Sequence, residues 1–274
     1  MKKIIKNIIP PILYSFLKMV FIKPRIFSPK WCTLSYKPLS GLQIFFDPTG
    51  PWQKNIIENN YDTFLFKRLE SENLDNKVIF DIGAHIGFHS FYFAKLVGSR
   101  GKVYSFEPNP KNVERLRIIR DKNDDIKNVI SVFDIAVSNL LSSEEFSMSN
   151  DIESGRSSGG FIDTADTIWD RSAFKQRGFT EIKVKTVPVD LFDKELGIKE
   201  LPDIIKIDVE GAESLVLDGA KNTILNKKPI ILMEIHSMLN MFNVVSFLSS
   251  ISYEMEVIKE ESDGRCFIEA RPKK

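Results

Sequence analysis

The stretch Val78-Ile79-Phe80-Asp81-Ile82-Gly83-Ala84-His85-Ile86-Gly87-Phe88-His89-Ser90 constrains the fold more than any other part of the chain. It reads as a strand, a glycine turn and the start of a helix. An apolar run carrying a single acid suits a parallel strand covered on both faces. A second strand ends in Tyr104-Ser105-Phe106-Glu107-Pro108-Asn109. Glu107 therefore stands about twenty positions beyond the turn, the distance at which a strand–helix–strand unit reaches a ribose. Glycines in such a turn let backbone N–H groups approach a ligand, although they also serve plain strand–helix packing.

The same rhythm continues down the chain. Phe88–Val97 reads as a crossover helix and Lys102–Phe106 as the second strand. Pro110 sits where a helix loses nothing by lacking an N–H. Val129–Val137 reads as a third strand, with Asp134 and Ile135 in it. After an interruption the pattern resumes at Ile204–Val209, which runs into Asp208-Val209-Glu210-Gly211-Ala212-Glu213. Pro229–Glu234 follows, running into Glu234-Ile235-His236, then a helix over Met238–Ser250. Tyr253–Ile258 and Arg265–Ala270 read as a closing hairpin around Ser262-Asp263-Gly264. Asp190 is placed to cap a helix over Leu191–Leu196 that Gly197 ends. The expectation is an α/β fold with a doubly wound sheet of about seven strands, mostly parallel, with antiparallel strands at the C-terminal edge.

Three stretches depart from this rhythm. Residues 1–23 are basic and apolar, but Pro10-Pro11 and Lys18 keep the apolar run below the roughly 18 residues of a spanning helix. No small-residue cleavage site follows, so a secretory signal is not expected. A helix packed on the domain and a shallow anchor at a membrane surface both stay open. Residues 24–52 are proline-interrupted and read as short strands, Cys32–Tyr36 and Leu42–Phe46, forming a lead-in hairpin or lid. Residues 138–188 read as an insertion: a Ser/Gly-rich loop at 149–160, then an alternating, exposed antiparallel strand over Glu181–Val187. The division expected is 1–51 for the lead-in and 52–274 for the main domain.

Composition excludes some classes. A net charge of +1 gives no field to steer the protein to nucleic acid. The two cysteines, Cys32 and Cys266, are too far apart in sequence for a disulfide framework or a zinc motif. A reducing, cytoplasmic location is expected, at the inner membrane face if residues 1–23 bind there.

Taken together, Phe80-Asp81-Ile82-Gly83-Ala84-His85-Ile86-Gly87, Phe106-Glu107-Pro108-Asn109-Pro110, Ile205-Lys206-Ile207-Asp208-Val209-Glu210-Gly211-Ala212-Glu213 and Met233-Glu234-Ile235-His236 resemble the FkbM-type methyltransferases. The resemblance spans about Trp52 to Ala270. It implies the class I fold that uses S-adenosyl-L-methionine, and O-methylation of a hydroxyl on a sugar, a glycan or a related small molecule. It also implies a cofactor set of Asp81, Gly83, Ala84, His85, Gly87, Glu107, Asn109, Asp134 and Ile135. Asp81 would orient the turn or water around the methionine amino group, Glu107 would take both ribose hydroxyls, and Asp134 with Ile135 would hold the adenine. His85 stands where the general class has glycine and the family commonly has Asn.

Asp208 lies at a strand end beside the switch point, where doubly wound sheets place ligands. His236 has a side chain able to take a proton near neutral pH. These two are the expected catalytic pair, with Glu234 and Glu210 as substrate contacts. Glu213 reads as an acid at a helix N-terminus. His85 is expected on the pocket wall and His89 inside the first helix. A metal held by Asp208, Glu234 and His236 is conceivable but is not the expectation, because oxygen-rich ligation by carboxylates alone is not visible there. Two other readings remain open: a nicotinamide-dependent oxidoreductase, and a non-catalytic glycan-binding module at a membrane surface.

Overall fold

The computed structural model describes residues 28–149, 160–165, 179–262 and 264–273. The segment 1–23 weighed as an anchor lies outside the described residues, as does most of the loop at 149–160. Strands β1 (Lys30–Thr33) and β2 (Gln43–Phe46) pair antiparallel and lead into helices α1 (Pro51–Ile57) and α2 (Thr63–Leu69). Alternation then begins with β3 (Val78–Ile82), α3 (Phe88–Val97), β4 (Lys102–Phe106), α4 (Pro110–Lys122) and β5 (Ile130–Phe133). Four strands follow: β6 (Ala136–Val137), β7 (Ser142–Ser149), β8 (Gly160–Ile162) and β9 (Phe179–Val187). The alternation resumes with α5 (Phe192–Leu196), β10 (Ile204–Ile207), α6 (Glu213–Gly219), α7 (Lys221–Lys227), β11 (Ile230–Ile235) and α8 (Met238–Ser250). It closes with β12 (Tyr253–Glu260) and β13 (Cys266–Pro272). Among the described residues no helix is long and apolar enough to cross a membrane.

The main sheet has seven strands in the order β12-β13-β11-β10-β3-β4-β5. β11, β10, β3, β4 and β5 run parallel, and β13 is antiparallel to both its neighbours. This is the doubly wound α/β sheet read from the chain. The closing hairpin forms the antiparallel pair at the edge as expected, with β13 next to β11 and β12 outermost.

Register explains how this sheet builds a site. Ile82 lies opposite Ile207 and Phe106, Phe106 opposite Phe133, and Ile207 opposite Met233. Strands β3, β4, β5 and β10 therefore end in step, while β11 runs two residues further. Gly83, Glu107 and Asp208 follow those ends, and Glu234 lies level with them within β11, along one carboxyl edge where such sheets bind ligands.

The third strand differs from expectation. Only Ile130–Phe133 joins the main sheet. The chain turns at Asp134 and Ile135, and Ala136–Val137 pairs with β9 in a second sheet of order β6-β9-β7-β8. One apolar run thus serves two sheets, which periodicity alone does not reveal. Phe146, Met148, Phe161, Ile162 and Val184 of the second sheet pack with Ala136 and Ala212, over the carboxyl edge.

The lead-in strands are not a lid. Leu34, Leu39, Leu42, Ile44 and Phe46 are buried in one cluster with Phe91, Val97, Leu116 and Ile119. Each such burial is worth about 1.5–3 kcal/mol, too much for an element that opens. Asn123 ties the pair to α4, accepting from Gln43 N–H and donating to Gln43 O, both at 2.8 Å.

Asp190 also serves a different helix from the one expected. Its carboxylate accepts from Asn222 N–H at 2.9 Å and Thr223 N–H at 2.7 Å. These are N–H groups in the first turn of α7 that no carbonyl of the helix can reach. Gly197 does end α5, in a left-handed conformation (φ +71°). Replacing Asp190 by Ala should cost about 1 kcal/mol, read as a lower urea midpoint with unchanged slope. An unchanged midpoint would show that α7 does not depend on this contact.

Candidate active site

A cavity of about 420 Å³ opens at the carboxyl edge, a volume suited to a nucleoside-sized ligand. Gly83, Ala84, His85, Glu107, Ile135, Asp208, Glu210 and Glu234 line it, with Trp52, Tyr61, Phe106, Phe146 and Phe161. Most of the residues singled out from the sequence are therefore brought to one wall.

The turn after β3 is held from behind. Asp81 is fully buried, opposite Lys206 on one side and Ser105 on the other. Its carboxylate takes the Ser90 hydroxyl of α3 and pairs with Lys206 Nζ at 3.2 Å. The same ammonium donates to Gly83 O at 2.9 Å and lies 3.4 Å from Asp208 Oδ2. Burial alone would lower the Lys206 ammonium, but Asp81 and Asp208 outweigh it and hold it above its ordinary value. Asp81 is thus not on the cavity wall. It anchors the turn through its neighbours.

The glycines are required by the chain itself. A side chain on Gly83 (φ +77°) would meet Asp208 O at 1.8 Å, and one on Gly87 (φ +91°) would meet Leu116 and Phe91 at 2.6 and 2.8 Å. The expected reason, approach of a ligand, is not what excludes a Cβ here. Gly87 starts α3 and lies off the wall.

Glu107 is 6% exposed and faces the cavity. Its Oε2 accepts from His85 N–H at 2.8 Å. Its Oε1 accepts from Asn109 N–H at 3.0 Å and Asn112 Nδ2 at 3.2 Å. A carboxylate has about four acceptor positions, so the open one is on Oε2. Burial pushes the carboxyl up to about 7 against these donors and Lys206. Asn109 stands off the wall. It caps α4 by accepting from Lys111 N–H at 3.1 Å and steadies Glu107. Asp134 is exposed and off the wall, while Ile135 beside it is buried and on it. The chain's turn into the second sheet separates the two.

His85 and Glu210 both adopt left-handed backbone conformations, with φ +54° and +53°. Non-glycine residues there carry strain that surrounding structure must hold. The His85 ring lies 5.7 Å from that of Trp52, and its Nε2 is buried with no hydrogen-bond partner in the described structure. Burial drops the imidazole to about 4, so it is neutral. His89, expected only to pack within its helix, reaches the cavity as well and meets Asp62 at 3.1 Å.

The remaining charges gather where β10 and β11 end. Asp208 is 26% exposed, towards the cavity. Burial would raise its carboxyl, but Lys206, His236 and His89 hold it below the ordinary range. Glu234 is pushed up to about 8 by burial and by Asp208, against His236 and Arg265, and its Oε1 accepts from Arg265 at 2.6 Å. His236 is 1% exposed and stands behind the wall. Its Nδ1 lies 2.8 Å from Glu213 Oε1, an oxygen that also accepts from Gly211 N–H. Burial opposes its protonation, but the Glu213 contact with Glu210 and Asp208 pushes it up to about 10. A direct general-base role for His236 does not fit this position, because Asp208, Glu210 and Glu234 stand between its ring and the cavity. Glu213 does open α6, as expected of an acid at a helix start, but it is fully buried there and also orients His236.

Sequence reasoning missed Lys206, Arg265, Trp52 and Tyr61 as site residues. Lys206 had a signal: a lone charge in the apolar run Ile204-Ile205-Lys206-Ile207. The other three come from distant segments and carry no local mark.

A mostly parallel seven-stranded sheet with this strand order, a glycine turn after the middle one of its parallel strands and an acid after the next one define a class I methyltransferase. The methyltransferase FkbM domain model matches residues 81–258, and the chain belongs to that family. It is 26% identical over 212 residues to the hexuronic acid methyltransferase AglP of Haloferax volcanii, covering 77% of each chain. It is 29% identical over 150 residues to the 2-O-methyltransferase NoeI of Sinorhizobium fredii, covering 54% of this chain and 58% of that one. The crystal structure of methyltransferase FkbM from Methylobacillus flagellatus superposes with a TM-score of 0.51 at 16% identity, over 72% of this chain and 44% of that one. That likeness speaks for the fold, and the chain spans less than half of that structure's length. The protein is thus a methyltransferase dependent on S-adenosyl-L-methionine, and neither the nicotinamide nor the non-catalytic reading gains support. The cavity fits that cofactor: a buried acid with an acceptor position open, an apolar wall from Phe106 and Ile135, and the unpartnered His85 Nε2.

Removing one member of a buried ion pair leaves an uncompensated charge. Lys206→Met should therefore lower stability by about 3–5 kcal/mol, measured by urea unfolding. A loss below about 1 kcal/mol would place the pair with solvated surface bridges instead.

Proposed function

We propose that the protein transfers a methyl group to a hydroxyl of a sugar or sugar-bearing acceptor, forming an ether. The observation that carries the reading is the shared carboxyl edge. A nucleoside-type site around Glu107 and an acidic group, Asp208, face one cavity whose outer wall is aromatic. S-adenosyl-L-methionine supplies an electrophilic methyl group carried on sulfur. In this reading Glu107 Oε2 accepts one ribose hydroxyl rather than both, and Ile135 and Phe106 flank the adenine. The turn at Gly83, Ala84 and His85 lies beside the methionine end. Trp52 and Tyr61 offer aromatic faces to a sugar ring. Glu210 and Glu234 accept from its hydroxyls. Asp208 takes the proton of the attacking hydroxyl, and the site holds that oxygen in line with the methyl group, which lowers the barrier as well. Asp81, Gly87, Asn109 and His236 act through these residues. The sugar reading draws on AglP and NoeI, whose names place them on a hexuronic acid and at a 2-hydroxyl. A cytoplasmic place, with or without peripheral membrane contact through residues 1–23, belongs to the same proposal.

Two outcomes follow. A charged acceptor makes hydrogen bonds worth about 1.5–3 kcal/mol. S-adenosyl-L-homocysteine should therefore bind about 10–100-fold more weakly to Glu107→Gln. The Glu107 carboxyl is raised to about 7, and its ionised form is the better acceptor of a hydroxyl. Wild-type affinity should then fall as the pH drops from 8 to 6, while the variant stays flat. Equal pH profiles in calorimetry would remove Glu107 from the ribose. Separately, label from the methyl group of S-adenosyl-L-methionine should enter uronic-acid or neutral-sugar oligosaccharides as a base-stable ether. Asp208→Asn should slow this about a hundredfold or more with S-adenosyl-L-homocysteine binding retained. Base-labile ester label, or none on any sugar, would sink the acceptor class.

A further inference from the structure

The end of the β10–β11 pair holds an arrangement that methyl transfer by Asp208 alone does not use. Asp208 and Glu234 follow Ile207 and Met233, which lie opposite each other, so their carboxylates are cross-strand neighbours. Asp208, Glu234 and His236 each offer a ligating atom, and these atoms lie within 4.8 Å of one another. We propose that the three bind a divalent cation of the Mn²⁺ class at the cavity's edge, an inference that rests on the methyltransferase reading and deepens it.

Distance decides between a cation and a proton. His236 Nε2 is buried without a hydrogen-bond partner. It lies 3.7 Å from Asp208 Oδ1, 3.9 Å from Glu234 Oε1 and 3.5 Å from Glu210 Oε2. A proton shared between nitrogen and oxygen draws them to roughly 2.7–3.2 Å. Ligands held at about 2.1 Å from a common cation stand roughly 3.0–3.6 Å apart. All three spacings lie outside the first range; the Glu210 spacing falls within the second, and those to Asp208 and Glu234 stand just beyond it, a gap that a bound cation would close.

The support behind the imidazole points the same way. An oxygen of Glu213 that already accepts from Gly211 N–H faces Nδ1, so Nδ1 keeps its proton, and a cation bound at Nε2 would take the place of the second ring proton. A histidine that ligates a metal commonly donates its other N–H to a carboxylate in this way. Charge agrees as well. The carboxyls of Asp81, Asp208, Glu210, Glu213 and Glu234 outnumber the basic groups Lys206, Arg265 and His236; Arg265 engages Glu234 Oε1, and Lys206 lies between Asp81 and Asp208. One imidazole with two carboxylates is a mixed set that suits manganese better than a thiolate-seeking metal. A cation there would acidify a hydroxyl oxygen reaching it from the cavity.

The test uses the full-length protein, stripped with EDTA and titrated with Mn²⁺ while free ion is followed by electron paramagnetic resonance. S-adenosyl-L-homocysteine binding is measured on the same samples. One Mn²⁺ per chain is expected. Affinity should fall at least about tenfold in His236→Gln and in Glu234→Gln, and about 10–100-fold in Glu213→Gln, with S-adenosyl-L-homocysteine binding retained. Wild-type protein that binds S-adenosyl-L-homocysteine but no Mn²⁺, or Mn²⁺ binding indifferent to all three substitutions, overturns the cation site and leaves the methyltransferase reading intact. Mn²⁺ binding lost in the variants, from a protein that does not bind S-adenosyl-L-homocysteine, supports the cation site and removes that reading.

Discussion

The buried pair of Asp81 and Lys206 is the interaction on which the rest of the site depends. Two charges withdrawn from water carry a large desolvation cost, and their attraction offsets it only when geometry and further hydrogen bonds are fixed. Here the sheet does the fixing. The two residues lie opposite each other on adjacent parallel strands, so pairing of β3 with β10 and pairing of the charges are one event. The spare hydrogen bonds of both are then spent on the site. Asp81 takes the Ser90 hydroxyl at the start of α3, and Lys206 holds the Gly83 carbonyl and approaches Asp208. The turn, the helix start and an acid of the cavity wall are thus positioned from a single buried point.

Around that point the wall residues divide their labour by depth. Glu107, Asp208, Glu210 and Glu234 present oxygens to the cavity. Asn109, Glu213 and His236 stand behind and set how those oxygens point. Left-handed backbone at His85 and Glu210 places each side chain where an ordinary turn would not. Such strain persists only in over-determined surroundings. The Glu107 bond to His85 N–H is one such constraint. The second sheet closes the cavity from outside by laying Phe146 and Phe161 over the carboxyl edge.

Much of this was legible in the chain. The run Val78–Ile82, the glycines and Glu107 lie within one strand–helix–strand unit, where spacing in sequence converts directly into position. Asp208 and Glu234 were legible as acids at the ends of apolar strands. What escaped were features set by register and by distant segments. Asp134 and Ile135 look equivalent in the sequence, yet a change of sheet sends one to solvent and the other to the cavity. Asp190 leads into α5 but bonds α7, because tertiary packing brings the first-turn N–H groups of that distant helix within reach of its carboxylate. His236 reads as an available base until Glu213 is seen behind it and three carboxylates in front.

The sequence by itself determined the α/β alternation, the strand ends that bear acids and the family to which the chain belongs, since each rests on local periodicity or on residues at fixed spacing. Tertiary structure alone decided which charges meet. Asp81 with Lys206, Glu234 with Arg265, and His236 with Glu213 and Asp208 are pairings across strands and loops. The physical reason is that a charge's protonation and role depend on its burial and on neighbours within a few ångströms, and those neighbours are chosen by sheet order and register rather than by proximity along the chain.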